Sequence, residues 1–84
     1  MAKLKVRYFT MSAGYLDKYK EIGQLIKKKR VEKGLTQEEL AERAAISISY
    51  LTKIEAPNTQ KTFSLEVVFA ISDALEISVI ELFE

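Results

Sequence analysis

The 84-residue chain is long enough for one small domain, and with 48% hydrophobic and 30% charged residues it has the composition of a folded protein, not a disordered one. It contains no cysteine and no histidine, which excludes a disulfide framework and a thiolate or imidazole metal site and removes the commonest general base. The net charge of +1 hides an asymmetry: residues 1–33 carry ten Lys/Arg against three Asp/Glu, and residues 34–84 carry three against nine. Such a molecule has one side able to approach phosphates, although a solvated basic helix accounts for the same counts.

No apolar run has the length of a membrane span and no signal-peptide core follows the first lysines, so a cytoplasmic protein without membrane contact is expected. In chain order, residues 1–14 form a basic leader. Within it, residues 3–9 alternate Leu4, Val6 and Tyr8 with Lys3, Lys5 and Arg7, the period of a short strand or of a basic arm. Ser12-Ala13-Gly14 is a break, and residues 15–84 read as a helical domain. Tyr15, Tyr19, Ile22 and Ile26, with Leu16 and Leu25 beside them, share one helical face, and Lys33-Gly34 forms the stop. Thr36 to Glu39 has the spacing of a capping box, opening a second helix that buries Leu40, Ala41 and Ala44.

After a turn at 44–46, Ser47 caps a third helix that ends before Pro57-Asn58, and residues 57–63 form a polar loop. Ser64 caps a fourth helix whose apolar residues cover more than one core-facing stripe needs. Ser78 to Glu81 reads as a second capping box, opening a fifth helix.

The third helix carries the functional signal. On its wheel Ile46, Tyr50, Leu51 and Ile54 fall on one side, with Ile48, Ser49 and Thr52 opposite and Lys53 on a flank. An ordinary solvated face favours Glu, Lys and Gln. Two hydroxyls and an isoleucine suit a surface that offers hydrogen-bonding groups together with methyls. The DNA major groove is such a surface.

Residues 35–55, LTQEELAERAAISISYLTKIE, resemble the helix-turn-helix of phage repressor, Cro and XRE-type regulators. The likeness runs from about residue 19 to 83, and its markers are Gly34, Leu40-Ala41, Ile46-Ser47, Ile54-Glu55 and Ala74-Leu75. It implies an all-α, five-helix lambda-repressor-like DNA-binding domain behind the leader, working as a homodimer on double-stranded DNA. By the same resemblance Gln37 contacts DNA and braces the third helix, and Ser47, Ile48, Ser49, Tyr50, Thr52 and Lys53 face DNA. Thr36, Lys27, Lys28 and Lys61 are candidates for phosphate contact. Arg30 and Glu55 match a structural ion pair of the family.

Two departures concern the third helix and the turn before it. Ala45 stands where the family turn usually has glycine, and Ile48 stands where many members have Arg, Gln or Lys, so a base methyl is the expected contact there. A third departure is the leader, which lies outside the family core. The apolar excess of the last two helices, at Val67, Ile71, Val79, Ile80 and Phe83, is the expected dimer interface.

The leading expectation is therefore a sequence-specific transcriptional regulator or repressor, with no cofactor and no evident small-molecule effector. The alternative is a protein-interaction module on the same fold, such as an antitoxin. An enzyme is not expected, because the chain offers no histidine, no cysteine, no glycine-rich phosphate loop and no acid pair in a pocket.

Overall fold

The computed structural model describes residues 13–83. Among them are four α-helices, α1 (Ala13–Glu32), α2 (Gln37–Ala44), α3 (Ile48–Glu55) and α4 (Leu65–Leu75), followed by a closing 3-10 helix, Val79–Leu82. The strand or arm expected at residues 3–9 lies outside the described residues. Two expectations about the helices' extent and type are corrected. Ala13 and Gly14 are helical and form the start of α1, not a break before it. A first turn donates no amide to a preceding turn, so glycine disrupts less there than in a helix interior.

The second correction concerns the fifth helix. Only four residues separate Ser78 from Phe83, too few for a settled α-helix. They close instead with i→i+3 bonds, Glu81 N to Ser78 O (3.0 Å) and Phe83 N to Ile80 O (2.9 Å). Ser78 Oγ accepts from the Ile80 amide (3.3 Å), one residue short of the expected partner. Glu81 instead reaches α1, where its carboxylate meets Lys29 Nζ at 3.0 Å.

The other helix starts follow the sequence. At Thr36 the capping box is complete: Oγ1 accepts from the Glu39 amide (3.0 Å) and Glu39 Oε1 accepts from the Thr36 amide (2.8 Å). Ser47 and Ser64 cap α3 and α4 through the amides of Tyr50 and Val67.

Three helices end in the same double hydrogen bond with a left-handed residue. Gly34 (φ 72°) ends α1, Ala45 (φ 60°) ends α2 and Glu76 (φ 60°) ends α4. In each, the following amide reaches back five residues: Leu35 N to Arg30 O, Ile46 N to Ala41 O and Ile77 N to Ser72 O, at 3.0–3.1 Å.

Ile26, Leu40, Leu51, Ile54, Val68, Ile71, Leu75 and Leu82 fill the core, with Ala41 and Ala44 where α2 lies close to its neighbours. The closing 3-10 helix thus contributes to the core through Leu82. Tyr15, expected on the buried face of α1, is exposed. Gly23 is buried where α1 crosses α3: a Cβ there would sit against the Ile54 carbonyl oxygen, far inside van der Waals contact. This crossing sets how closely α3 lies against the scaffold. No helix among the described residues is long and apolar enough to cross a membrane.

Candidate nucleic-acid interface

α3 has eight residues, about two turns, and by itself would not hold its shape in water. Its position comes from burying Leu51 and Ile54 and from a polar network at its C-terminal end. Glu55 is the hub, with its side chain 2% exposed. Arg30 grips it in a two-pronged contact, Nε to Oε2 and Nη2 to Oε1, both 2.9 Å. The third guanidinium nitrogen, Nη1, donates to the Leu35 carbonyl at the α1–α2 corner (2.8 Å). One arginine therefore ties together the end of α1, the corner and α3.

Gln37 joins the same hub. Its Nε2 donates to Glu55 Oε1 (2.9 Å), and its Oε1 accepts from Thr52 Oγ1 (3.2 Å). Behind it, Gln24 Nε2 donates to the Glu55 main-chain carbonyl (2.8 Å), which satisfies one of the carbonyls a helix leaves open at its end. No buried side-chain nitrogen or oxygen among the described residues lacks a partner. The Arg30–Glu55 pair agrees with the expected structural lock. Gln24 and Gly23 were not singled out in the sequence, since a glutamine and a glycine inside a basic amphipathic helix carry no periodic signal.

Ser47, Ile48, Ser49, Thr52 and Lys53 are all exposed, and together they form one outward surface on α3. Ser49 and Lys53 point most directly away from the buried side, so Lys53 is central where the sequence wheel put it on a flank. Ile48 and Thr52 lie toward α2 and Gln37. Tyr50 is half-buried on the other flank, where Lys61 Nζ stands 4.9 Å from its ring centroid. Phe63 meets Tyr19 of α1 edge-on, with centroids 5.0 Å apart. Two aromatic contacts thus hold the polar loop beside α3 and keep the Lys61 cation near the exposed surface.

Thr36 is exposed at the start of α2, with its hydroxyl oxygen already accepting in the cap. The two exposed lysines of α1 separate. Lys27 is about 40° around the helix from Gly23, on the side facing α3, whereas Lys28 is about 140° away. An open cleft of about 470 Å³ lies between α2 and the start of α3, lined by Glu38, Glu39, Glu42, Ser47 and Ile48 among others. Three carboxylates make it hostile to phosphate, so the side of Ile48 turned to Thr52 is the one suited to DNA.

One expected interface residue is corrected. Ile71 has 0% of its surface exposed and belongs to the core of the single chain, because the apolar excess of α4 is divided between an inward stripe and a separate outward set. Val67 and Val79 are half-buried, and Ile80 and Phe83 are exposed. Leu65 and Phe69, not among the expected interface residues, are exposed too.

Comparison with known proteins agrees with this geometry. Residues 26–82 match the helix-turn-helix family. The chain is 45% identical over 58 residues to the HTH-type transcriptional regulator SinR of Bacillus subtilis, a match covering 69% of this chain and 51% of SinR, so it spans about half of SinR's length. Among solved structures, the restriction-modification controller protein C.AhdI from Aeromonas hydrophila superposes with a TM-score of 0.72 at 34% identity, covering 77% of this chain and 96% of that one. The controller protein C.Esp1396I, bound to a 25 base pair operator site, superposes with a TM-score of 0.69 at 31% identity, over 77% of this chain and 83% of its own.

Proposed function

The chain belongs to the helix-turn-helix family, and from that premise we propose that it is a cytoplasmic, sequence-specific DNA-binding transcriptional regulator that acts as a homodimer. The observation that carries this reading is α3 itself. It exposes a low-charge surface of Ser49, Ile48, Thr52 and Lys53 and is locked from behind by Arg30, Glu55, Gln24 and Gln37. A helix held this rigidly, with small side chains outward, enters a major groove without paying to order itself.

In this reading Ser49 and Lys53 meet base edges. Gln37 spans the bases and the near phosphate, while Thr36, Lys27 and Lys61 neutralise the strand on either side. Tyr50 flanks the groove under Lys61. Lys28, turned away from α3, contributes only through the long-range field. Solved relatives support the reading, one of them by name on an operator. Exposed apolar residues on α4 and the closing 3-10 helix, Leu65, Phe69, Ile80 and Phe83, are the surface assigned to the second subunit.

Selection of bound sequences from a random duplex pool tests the function. The expected product is a pair of inverted half-sites with centres about 10 base pairs apart, or a multiple of that. A pool that stays random through repeated rounds would overturn the reading and favour a protein-interaction module on the same fold.

A further inference from the structure

Thr52 has one hydroxyl proton, and the network decides where it goes. Gln37 Nε2 faces the Glu55 carboxylate, which only accepts hydrogen bonds, so the opposite amide orientation would set two oxygens against each other. The amide is therefore fixed with Oε1 on the Thr52 side, and Oε1 also only accepts. The Thr52 hydroxyl must donate to it, across 3.2 Å. Glu55 in turn is held by Arg30, so the order runs from the guanidinium through the carboxylate and the amide to the hydroxyl.

With Oγ1 turned to α2 and its one proton committed, Thr52 keeps no donor for a groove, and beside that oxygen it presents its γ-methyl. Ile48 lies one helical turn earlier on the same side and is 43% exposed. Two aliphatic groups thus stand together on a helix whose free hydroxyl, Ser49, lies around the curve.

We propose that Thr52 is a positioning residue for Gln37, and that its methyl forms with Ile48 an apolar pair recognising the C5-methyl group of a pyrimidine in the major groove. The inference rests on α3 being the groove-reading helix. Two bases carry that group at the same edge position, thymine and 5-methylcytosine, so the shared chemistry is a C5-methyl pyrimidine.

The test uses the full chain and the half-site obtained by selection. Each thymine is replaced in turn by deoxyuridine, and separately a C·G pair is placed at the sensitive position with and without the 5-methyl group. Removing the methyl is expected to weaken binding roughly fourfold at one or two positions, the worth of one buried methyl, and methylating the cytosine is expected to gain a similar factor. A response in the thymine arm alone assigns the pair to thymine and overturns the wider class.

Two substitutions separate the roles of the threonine. Thr52→Ser keeps the hydroxyl bond and loses the methyl, so it is expected to narrow the thymine-to-uracil ratio by weakening the thymine site, up to the same roughly fourfold, with the uracil site bound as by wild type. Thr52→Val keeps the methyl and removes the bond, so the ratio survives and affinity falls by about threefold to tenfold on every site. In a Gln37→Ala background that fall should vanish, because there is no amide left to position. Thr52 is exposed and Gln37 half-buried, and thermal melting confirms that each variant is folded. Uracil tolerated at every position of a well-selected site overturns methyl reading but leaves the regulator intact. Wild-type affinity in Thr52→Val overturns the positioning role. A chain with no preferred sequence overturns the groove assignment and this inference with it.

Discussion

Ala45 and Glu76 hold a left-handed backbone in which an L-residue's Cβ crowds the following carbonyl, at a cost of about 1–2 kcal/mol relative to glycine. Glycine recovers that strain but gives back part of it as unfolded-chain entropy. Ala45→Gly is therefore expected to stabilise the domain by about 0.5–1 kcal/mol, raising the thermal midpoint by several degrees, and a lowered midpoint would contradict the strain. Ala45 was legible as a strained position because the helix-turn-helix resemblance marks a glycine there. Glu76 was not, since nothing in a run of apolar and acidic residues announces a left-handed turn. Arg30 shows the other extreme. It and Glu55 are nearly buried, at 11% and 2% side-chain exposure, so Arg30→Ala leaves a buried carboxylate without its counter-charge, held only by the neutral Gln37 amide. We expect a loss of about 3 kcal/mol in urea unfolding. The pairing was visible through the family likeness alone. Gln37's bond to Thr52 depends on how two helices are set ångström by ångström, which no spacing in the sequence encodes.

Among the elements, α1 and α3 define the geometry that matters. Gly23 allows their backbones to touch, so Gly23→Ala is expected to push α3 outward and cost about 1–3 kcal/mol, with a matching loss in DNA affinity. A variant as stable as wild type would mean the crossing has slack. Caps and stops made the helix boundaries readable, because Thr36, Ser47 and Ser64 bond their own first turns wherever the chain folds. The closing segment was misjudged since four residues settle between 3-10 and α by tertiary contact, here through Leu82 and the Lys29–Glu81 pair. Lys29 holds the Glu81 carboxyl below the ordinary glutamate range, and the Ser78 amide adds to this. A depressed carboxyl contributes stability above its unfolded pKa and loses it as pH falls through the lower folded value. Glu81→Gln should therefore lower the thermal midpoint slightly at neutral pH and match wild type once the pH has fallen below the folded value. Since the pair is partly exposed, molar salt should shrink the difference as well. A gap that persists in acid would contradict the assignment.

For the whole molecule, the two exposed surfaces divide the work. The α3 side is fixed and mixes hydroxyls and a lysine with the exposed Ile48; the α4 and 3-10 side is apolar and, in this reading, meets a second copy. Phe69→Asp combined with Ile80→Asp should convert the proposed dimer to a monomer in sedimentation equilibrium and weaken binding to a two-half-site duplex far more than to a single half-site. Unchanged mass would move the interface elsewhere. The outward surface of α3 was legible in the sequence because helical periodicity sorts buried from exposed. The division of α4 into inward and outward apolar residues was only half legible, since a helix apolar on most of its circumference does not reveal which residues, like Ile71, go into its own core. The locked α3 is the element proposed to read sequence. The most direct test is fluorescence anisotropy of the wild-type chain with selected and scrambled duplexes between 50 and 200 mM salt, a range over which phosphate contacts weaken steeply. If α3 reads sequence, both affinities fall linearly on logarithmic axes, with the selected duplex bound at least about a thousandfold tighter throughout. Equal affinity for the two duplexes at every salt concentration would contradict it.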